Sequence, residues 1–244
     1  MKLAAASLAG LALFFWPFAG GGVPAVAPAI ALSVGTVLAL ALLELGTREL
    51  DARLLALLAA IAALDAALRT VLVSGIGGFS PIFFLVLCAG FVFGPSYGFL
   101  AGATALLVSA LVSGGVGPWL PYQVFATGWV GVAAGLAGRA SGRLWVLALV
   151  GVVTGFGFGA LMDVWDWSYF RGSPGLGWTP GLPLPEAALH FGRFYLLTSL
   201  AYDAFRAGGN ALMVLLLGPP VVATMQRMRA RFHLEVLADA RLPA

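Results

Sequence analysis

Charge is what this 244-residue chain has least of: only 9% of its residues are Asp, Glu, Lys or Arg, where a soluble domain carries about a quarter. Cysteine is almost absent too. The single Cys88 lies inside an apolar run, which excludes a disulfide framework and a cysteine-based metal site. Histidine occurs twice, as His190 and His233, with no partner histidine near either. No phosphate-binding loop, HExxH pair or serine elbow is present, so the sequence offers no catalytic residues, no metal site and no cofactor site. What fills the chain is hydrophobic, 61% of all residues, with a mean hydropathy of +1.01. Such a chain is an integral membrane protein. In that setting Gly at 33 and Pro at 14 indicate close helix packing and broken helices. The net charge of +3 then carries topology, not a nucleic-acid footprint.

A helix needs about 20 residues to cross roughly 30 Å of hydrocarbon. On that measure eight apolar runs are candidate spans: Leu3 to Phe18, Ala25 to Leu43, Leu54 to Val73, Pro81 to Phe93, Tyr97 to Val112, Tyr122 to Ala137, Leu144 to Trp167 and Leu196 to Leu217. The chain divides accordingly into a two-span N-terminal part (1–50), a six-helix membrane core (51–220) and a basic tail (221–244), with Pro219-Pro220 stopping the last span. The first run also has features of a signal peptide, with Lys2 before it and VPAVAPA after it, although the Trp16-Pro17 ending favours an anchor. With the N-terminus cytoplasmic, the inner segments hold Lys2, Arg48, Arg53, Arg139, Arg143, Arg227, Arg229, Arg231 and Arg241, and the outer ones only Arg69, Arg171 and Arg193. The positive-inside rule therefore puts both termini in the cytoplasm of a multi-pass plasma-membrane protein.

Small residues recur at helical spacing. Gly90, Gly94, Gly98 and Gly102, then Gly131 and Gly135, then Gly151, Gly155 and Gly159 each fall on one helix face, where missing side chains let backbones approach. Ala56, Ala60, Ala63 and Ala67, with Ala59 beside them, form a comparable face on the third run, suited to internal packing or to docking of a second membrane protein.

Ionisable groups inside spans are costly and face a cavity or a partner. Asp65 and Arg69, four apart, fall in the middle and outer part of the third run and can pair. Asp203, Arg206 and Asn210 form one stripe on the last run. Between them the seventh run ends in MDVWDWSYFRG, where Asp163 and Trp167 share a face, as do Asp166 and Phe170. The tryptophans and Tyr169 read equally as an interfacial aromatic belt and as a stacking wall for a flat ligand. Three outer stretches, Ser74 to Ser80, Ser113 to Gln123 and the long Ser168 to Arg193 with Trp178, Glu186 and His190, read as loops roofing a pocket that opens outward.

Three of these stretches, GFSPIFFLVLCAGFVFGPSYGFLAGATALLVSAL, SGGVGPWLPYQ and GWVGVAAGLAG, resemble the substrate-binding membrane subunits (S components) of energy-coupling factor (ECF) vitamin transporters, in particular an actinobacterial-type group. The resemblance covers about Leu54 to Leu217, the family's six-helix core, and leaves the two N-terminal spans as additions. It implies an all-α membrane protein, not an enzyme, that captures a micronutrient at the outer face. It also implies partners: a transmembrane coupling subunit and two cytoplasmic ATPases. The family's alanine-spaced docking motif corresponds here to Ala56 and Ala60, with Ala59 and Ala63 offset, so docking overtakes internal packing as the reading of that face. Substrate-binding positions follow as Asp65, Arg69, Gln123, Asp163, Asp166, Trp167, Tyr169, Asp203, Arg206 and Asn210. The histidine that follows the initiator methionine in nickel and cobalt members is replaced by Lys2, which sets metal uptake aside. The cargo reading leans to a cobamide, with thiamin or another heteroaromatic vitamin as the alternative. Other classes compete less well. A stand-alone secondary transporter or channel lacks an evident inverted repeat. An intramembrane hydrolase would pair Asp163 with Asp203, but GALMD lacks the glycine-aspartate pairing of known intramembrane aspartyl proteases.

Overall fold

The computed structural model describes residues 1–22, 24–47, 50–71 and 82–232. The side chains of residues 21, 69–71, 82 and 232 also lie outside the description. Among the described residues the chain is all-helical. Helix α1 (Lys2–Phe15) passes through a π-helical turn (Pro17–Gly21) to α2 (Val26–Gly46). Then come α3 (Ala52–Val71), α4 (Ile82–Phe93), α5 (Pro95–Ser113), α6 (Leu120–Ala140), α7 (Leu144–Trp167), α8 (Leu184–Thr198) and α9 (Leu200–Phe232). Four of them, α2, α5, α7 and α9, are long and apolar enough to cross a membrane, and α1 and α4 are shorter apolar helices.

The centre of the molecule is α4, α5 and α6, where glycine brings backbone onto backbone. Only Gly94 separates α4 from α5, and its φ of +99° is a conformation glycine adopts without steric cost. A methyl group at Gly131 would lie 2.0 Å from the Gly98 carbonyl oxygen, and one at Gly90 would lie 2.2 Å from that of Gly131. The glycine spacing of the sequence is thus realised as a three-helix seam. Around it, α3 lies on α5 and α4, α1 and α2 cover α6, and α7 and α9 close the other side. Trp129 on α6 donates its indole N–H to Ser7 on α1 at 3.2 Å, and Phe14 stacks edge-on to Tyr122 with centroids 5.0 Å apart. The N-terminal pair is therefore packed into the bundle.

Helix α9 is inside-out by soluble standards. Asp203, Ala207, Asn210, Val214, Val222 and Met225 are buried, while Tyr202, Phe205, Leu212, Leu215, Leu216 and Leu217 are exposed. A polar face turned inward and a leucine face turned outward is the pattern a lipid solvent selects. The expected stop at Pro219-Pro220 is corrected: α9 continues through both prolines to Phe232, about 50 Å in all at 1.5 Å per residue. The missing proline N–H groups free carbonyls on the outward Leu215 and Leu216 side, a loss that leaves the buried face intact. Arg229 donates to the Val92 carbonyl at 2.7 Å, so the helix beyond the prolines is tied to the end of α4.

The long loop expected over Ser168 to Arg193 is also corrected, because its second half is α8, which runs to Thr198. The last span accordingly starts at Leu200, not Leu196. The sequence carries the signals for α8: Pro185 at its first turn, Glu186 beside it, and Ala187, Phe191, Phe194 and Thr198 at helical spacing. Proline and glycine in the preceding PGLGWTPGLPLP hide them.

The two ends of the bundle differ in character. Lys2 pairs with Glu44 at 3.2 Å, Tyr97 donates to the Leu54 carbonyl at 3.3 Å, and Arg139 lies beside Gly94. These contacts collect Lys2, Arg139 and Arg229 at one end, with Arg143 at the start of α7. The opposite end holds the π turn, the end of α7 and α8, and is rich in Trp and Phe.

Candidate functional site

Two buried carboxylates lie where α7, α8 and α9 meet. A methyl group at Gly155 would fall 2.8 Å from Ala207 Cα, one at Gly151 3.1 Å from Asn210 Cβ, and one at Gly159 1.8 Å from Asp203 Oδ2. The glycine ladder of α7 is thus the surface that receives the polar stripe of α9. Two features read separately in the sequence are one structure.

Asp203 Oδ1 is paired with the Arg206 guanidinium, one helical turn away on α9, and its Oδ2 accepts from the Tyr195 hydroxyl at 3.0 Å. The same guanidinium reaches the Gly155 carbonyl at 3.3 Å and lies over the Phe158 ring, 5.2 Å from its centroid. Asp163 accepts from Ser199 at 2.5 Å and from Thr198 at 3.1 Å. Asn210 donates to the Gly151 carbonyl at 3.1 Å. Each carboxylate has its own donors, an arrangement that holds two acids apart and does not make them share one proton.

Four expected site residues, Asp163, Asp203, Arg206 and Asn210, are brought together on α7 and α9. Trp167 stands one turn beyond Asp163. Asp65 is buried elsewhere, on the face of α3 that packs against α5 and α4. The Arg69 side chain and the whole of Ser74 to Ser80 lie outside the described residues. Gln123 is half-buried near the start of α6, while Asp166 and Tyr169 are exposed at the end of α7. Tyr169 stacks edge-on to Trp165 at 5.2 Å, as an interfacial ring would. Tyr195, Thr198 and Ser199 were missed with α8 itself.

Above the polar cluster is an aromatic cleft of about 340 Å³ between the π turn, the end of α7, the following loop and α8; Phe18, Trp167, Trp178 and Phe191 are among its walls. Trp167 is fixed by its N–H bond to the Leu176 carbonyl at 2.7 Å, and Arg171 lies over the Trp178 ring at 5.1 Å. His190 hydrogen-bonds the Gly177 carbonyl at 3.0 Å, joining α8 to that loop in a structural role. A larger cavity of about 450 Å³ lies at the basic end, near Lys2, Glu44, Tyr97 and Arg139. It is remote from both carboxylates and touches none of the expected binding residues. Ala56, Ala59, Ala60, Ala63 and Ala67 are all exposed, while Leu58, Ile61, Ala62, Asp65 and Ala66 form the buried face of α3. Among the described residues, the alanine face packs against no other helix of the chain.

A family model described as "ECF transporter, substrate-specific component" matches residues 53–218. No curated protein and no solved structure matches.

Proposed function

The chain belongs to the substrate-specific components of ECF transporters, and from that premise we propose that it captures a vitamin-like micronutrient at the aromatic end of the bundle, outside the cell. It hands the cargo inward as part of a complex with a coupling subunit and two ATPases. The observation that carries the site is the cluster at α7, α8 and α9: Asp163 with Ser199 and Thr198, and Asp203 with Tyr195 and Arg206. A charged network at membrane depth is expensive, and a binding site is the kind of feature that retains one. Arg206 and Asp163 meet the polar groups of the cargo, and Trp167 stacks on its ring. Asn210 belongs to the same stripe as Asp203 and Arg206, and Gln123, Asp166 and Tyr169 act at the margin of this site, whereas Asp65 lies apart from it on α3. The cleft, at about 340 Å³, lies at the small end of ligand sites. That size favours a one- or two-ring heteroaromatic vitamin of the thiamin type over a cobamide macrocycle.

The basic end faces the cytoplasm, a reading supported by the distribution of arginine, and eight spans would return both termini to that side. The exposed alanine face of α3 docks the coupling subunit through Ala56, Ala59, Ala60 and Ala63, since small side chains let a partner helix approach closely. The chain itself performs no chemistry on its cargo. Two variants test this division. Ala60→Trp abolishes uptake in the assembled transporter and leaves the purified chain's retention of its copurifying small molecule, followed by mass spectrometry, unchanged. Arg206→Ala removes that retention. Equal loss of retention in Ala60→Trp would reject the docking face, and undiminished retention in Arg206→Ala would reject the site.

A further inference from the structure

The aromatic cleft has one wall that the family-matched stretch does not supply. Phe18 belongs to the π turn after α1, well before residue 53, yet its ring stands edge-on to Trp178 at 5.2 Å and tilted over Trp167 at 5.9 Å. The other walls are anchored from the core side. Trp167 is held by the Leu176 carbonyl, Trp178 by its backbone bond to the Phe170 carbonyl at 3.1 Å, and Phe191 stands edge-on to Trp167 at 5.4 Å. Behind Phe18 the chain turns through Gly20 and Gly22, at φ +87° and +66°, where an added Cβ would meet nothing within 4 Å. The position of the Phe18 ring is therefore set by its packing on the two tryptophans.

We propose that Phe18 is a specificity-determining wall of the cargo cleft, so that the N-terminal helix pair narrows the site to a flat ring. This rests on the capture reading above. The occupant follows from continuity and shape. Trp167 stands one turn from Asp163 on α7, and Phe191 stands one turn from Tyr195 on α8, so both helices present rings first and polar groups next. Trp167 is thus both a wall of the cleft and the neighbour of Asp163, so a ring in the cleft lies beside the polar cluster. Phe18, Trp167, Trp178 and Phe191 pack on one another at interplanar angles from 31° to 82°, so the cleft they line offers a flat ring both faces and edges for offset and edge-to-face contacts, which an acyl chain does not use.

The test uses the full chain in lipid nanodiscs, with indole as a flat probe and 1-adamantanol as a globular one, each titrated by ligand-observed NMR against empty discs. The wild type binds indole in preference to adamantanol. Phe18→Ala and Phe18→Leu weaken indole by about two- to ten-fold, the equivalent of one lost aromatic pair, and erase the preference. Phe18→Leu keeps the apolar bulk, so loss of preference there reports the flat face and not a collapsed turn; Leu8→Ala on the exposed side of α1 is the control. No indole binding by the wild type, no preference over adamantanol, or equal indole affinity in wild type and both Phe18 variants overturns the proposal. Failure of the capture reading shows separately, as undiminished retention of the copurifying molecule in Arg206→Ala.

Discussion

Between α5 and α6 the glycines bring backbone against backbone, with the Gly98 carbonyl oxygen 2.0 Å from where a Gly131 Cβ would be. Between α7 and α9 the same fourfold spacing makes room for Ala207 and for the side chains of Asp203 and Asn210. One seam is backbone on backbone and has no side chain that can move aside. The other exchanges packing for polarity and carries an ion pair in its centre. Glycine every fourth residue reports a close approach of helices, and the facing helix decides whether that approach is scaffold or site.

The largest expected effect comes from the backbone seam. Gly131→Leu leaves no folded protein, because its Cβ meets backbone, and the cost exceeds the roughly 1–3 kcal/mol of ordinary overpacking. Size-exclusion and thermal unfolding of the purified chain measure this, and a monodisperse, stable variant would break the comparison. Arg206→Ala comes next. It leaves the Asp203 carboxylate buried without its cation and costs about 3–5 kcal/mol. Adding Asp203→Asn returns much of the stability without returning cargo retention, which separates structural from binding roles. The smallest effect sharpens the contrast within one helix. Gly159→Ala meets the end of the Asp203 side chain and not backbone, so it displaces that carboxyl group from Arg206 and Tyr195 for about 1–3 kcal/mol, and weakens capture by an amount equilibrium binding reads directly. Gly157→Ala on the same helix, where an added Cβ meets nothing within 4 Å, leaves both unchanged.

Much of this contrast is legible in the residues. Fourfold glycine, a polar stripe at spacings of three and four, and an alanine face each follow from helical periodicity. What periodicity does not give is which stripe meets which. Asp65 and Asp203 read alike as buried acids, yet only Asp203 is brought to Asp163, because α3 packs on α4 and α5 while α9 packs on α7. Helix α8 was hidden by the prolines and glycines before it, and with it the donors Tyr195, Thr198 and Ser199. The double proline misled in the opposite sense. In water Pro219-Pro220 ends a helix, but on the lipid-facing side of α9 it interrupts nothing that packs. Phe18 escaped notice because its partners are about 150 residues away in the chain and no local pattern points to them.

The central claim is that this chain captures and does not itself transport. Its most direct test is reconstitution into liposomes, following the small molecule that copurifies with the chain. The account predicts no accumulation by the chain alone, and ATP-dependent accumulation once a coupling subunit and its ATPases are added. Accumulation by the purified chain without any ATPase would contradict it.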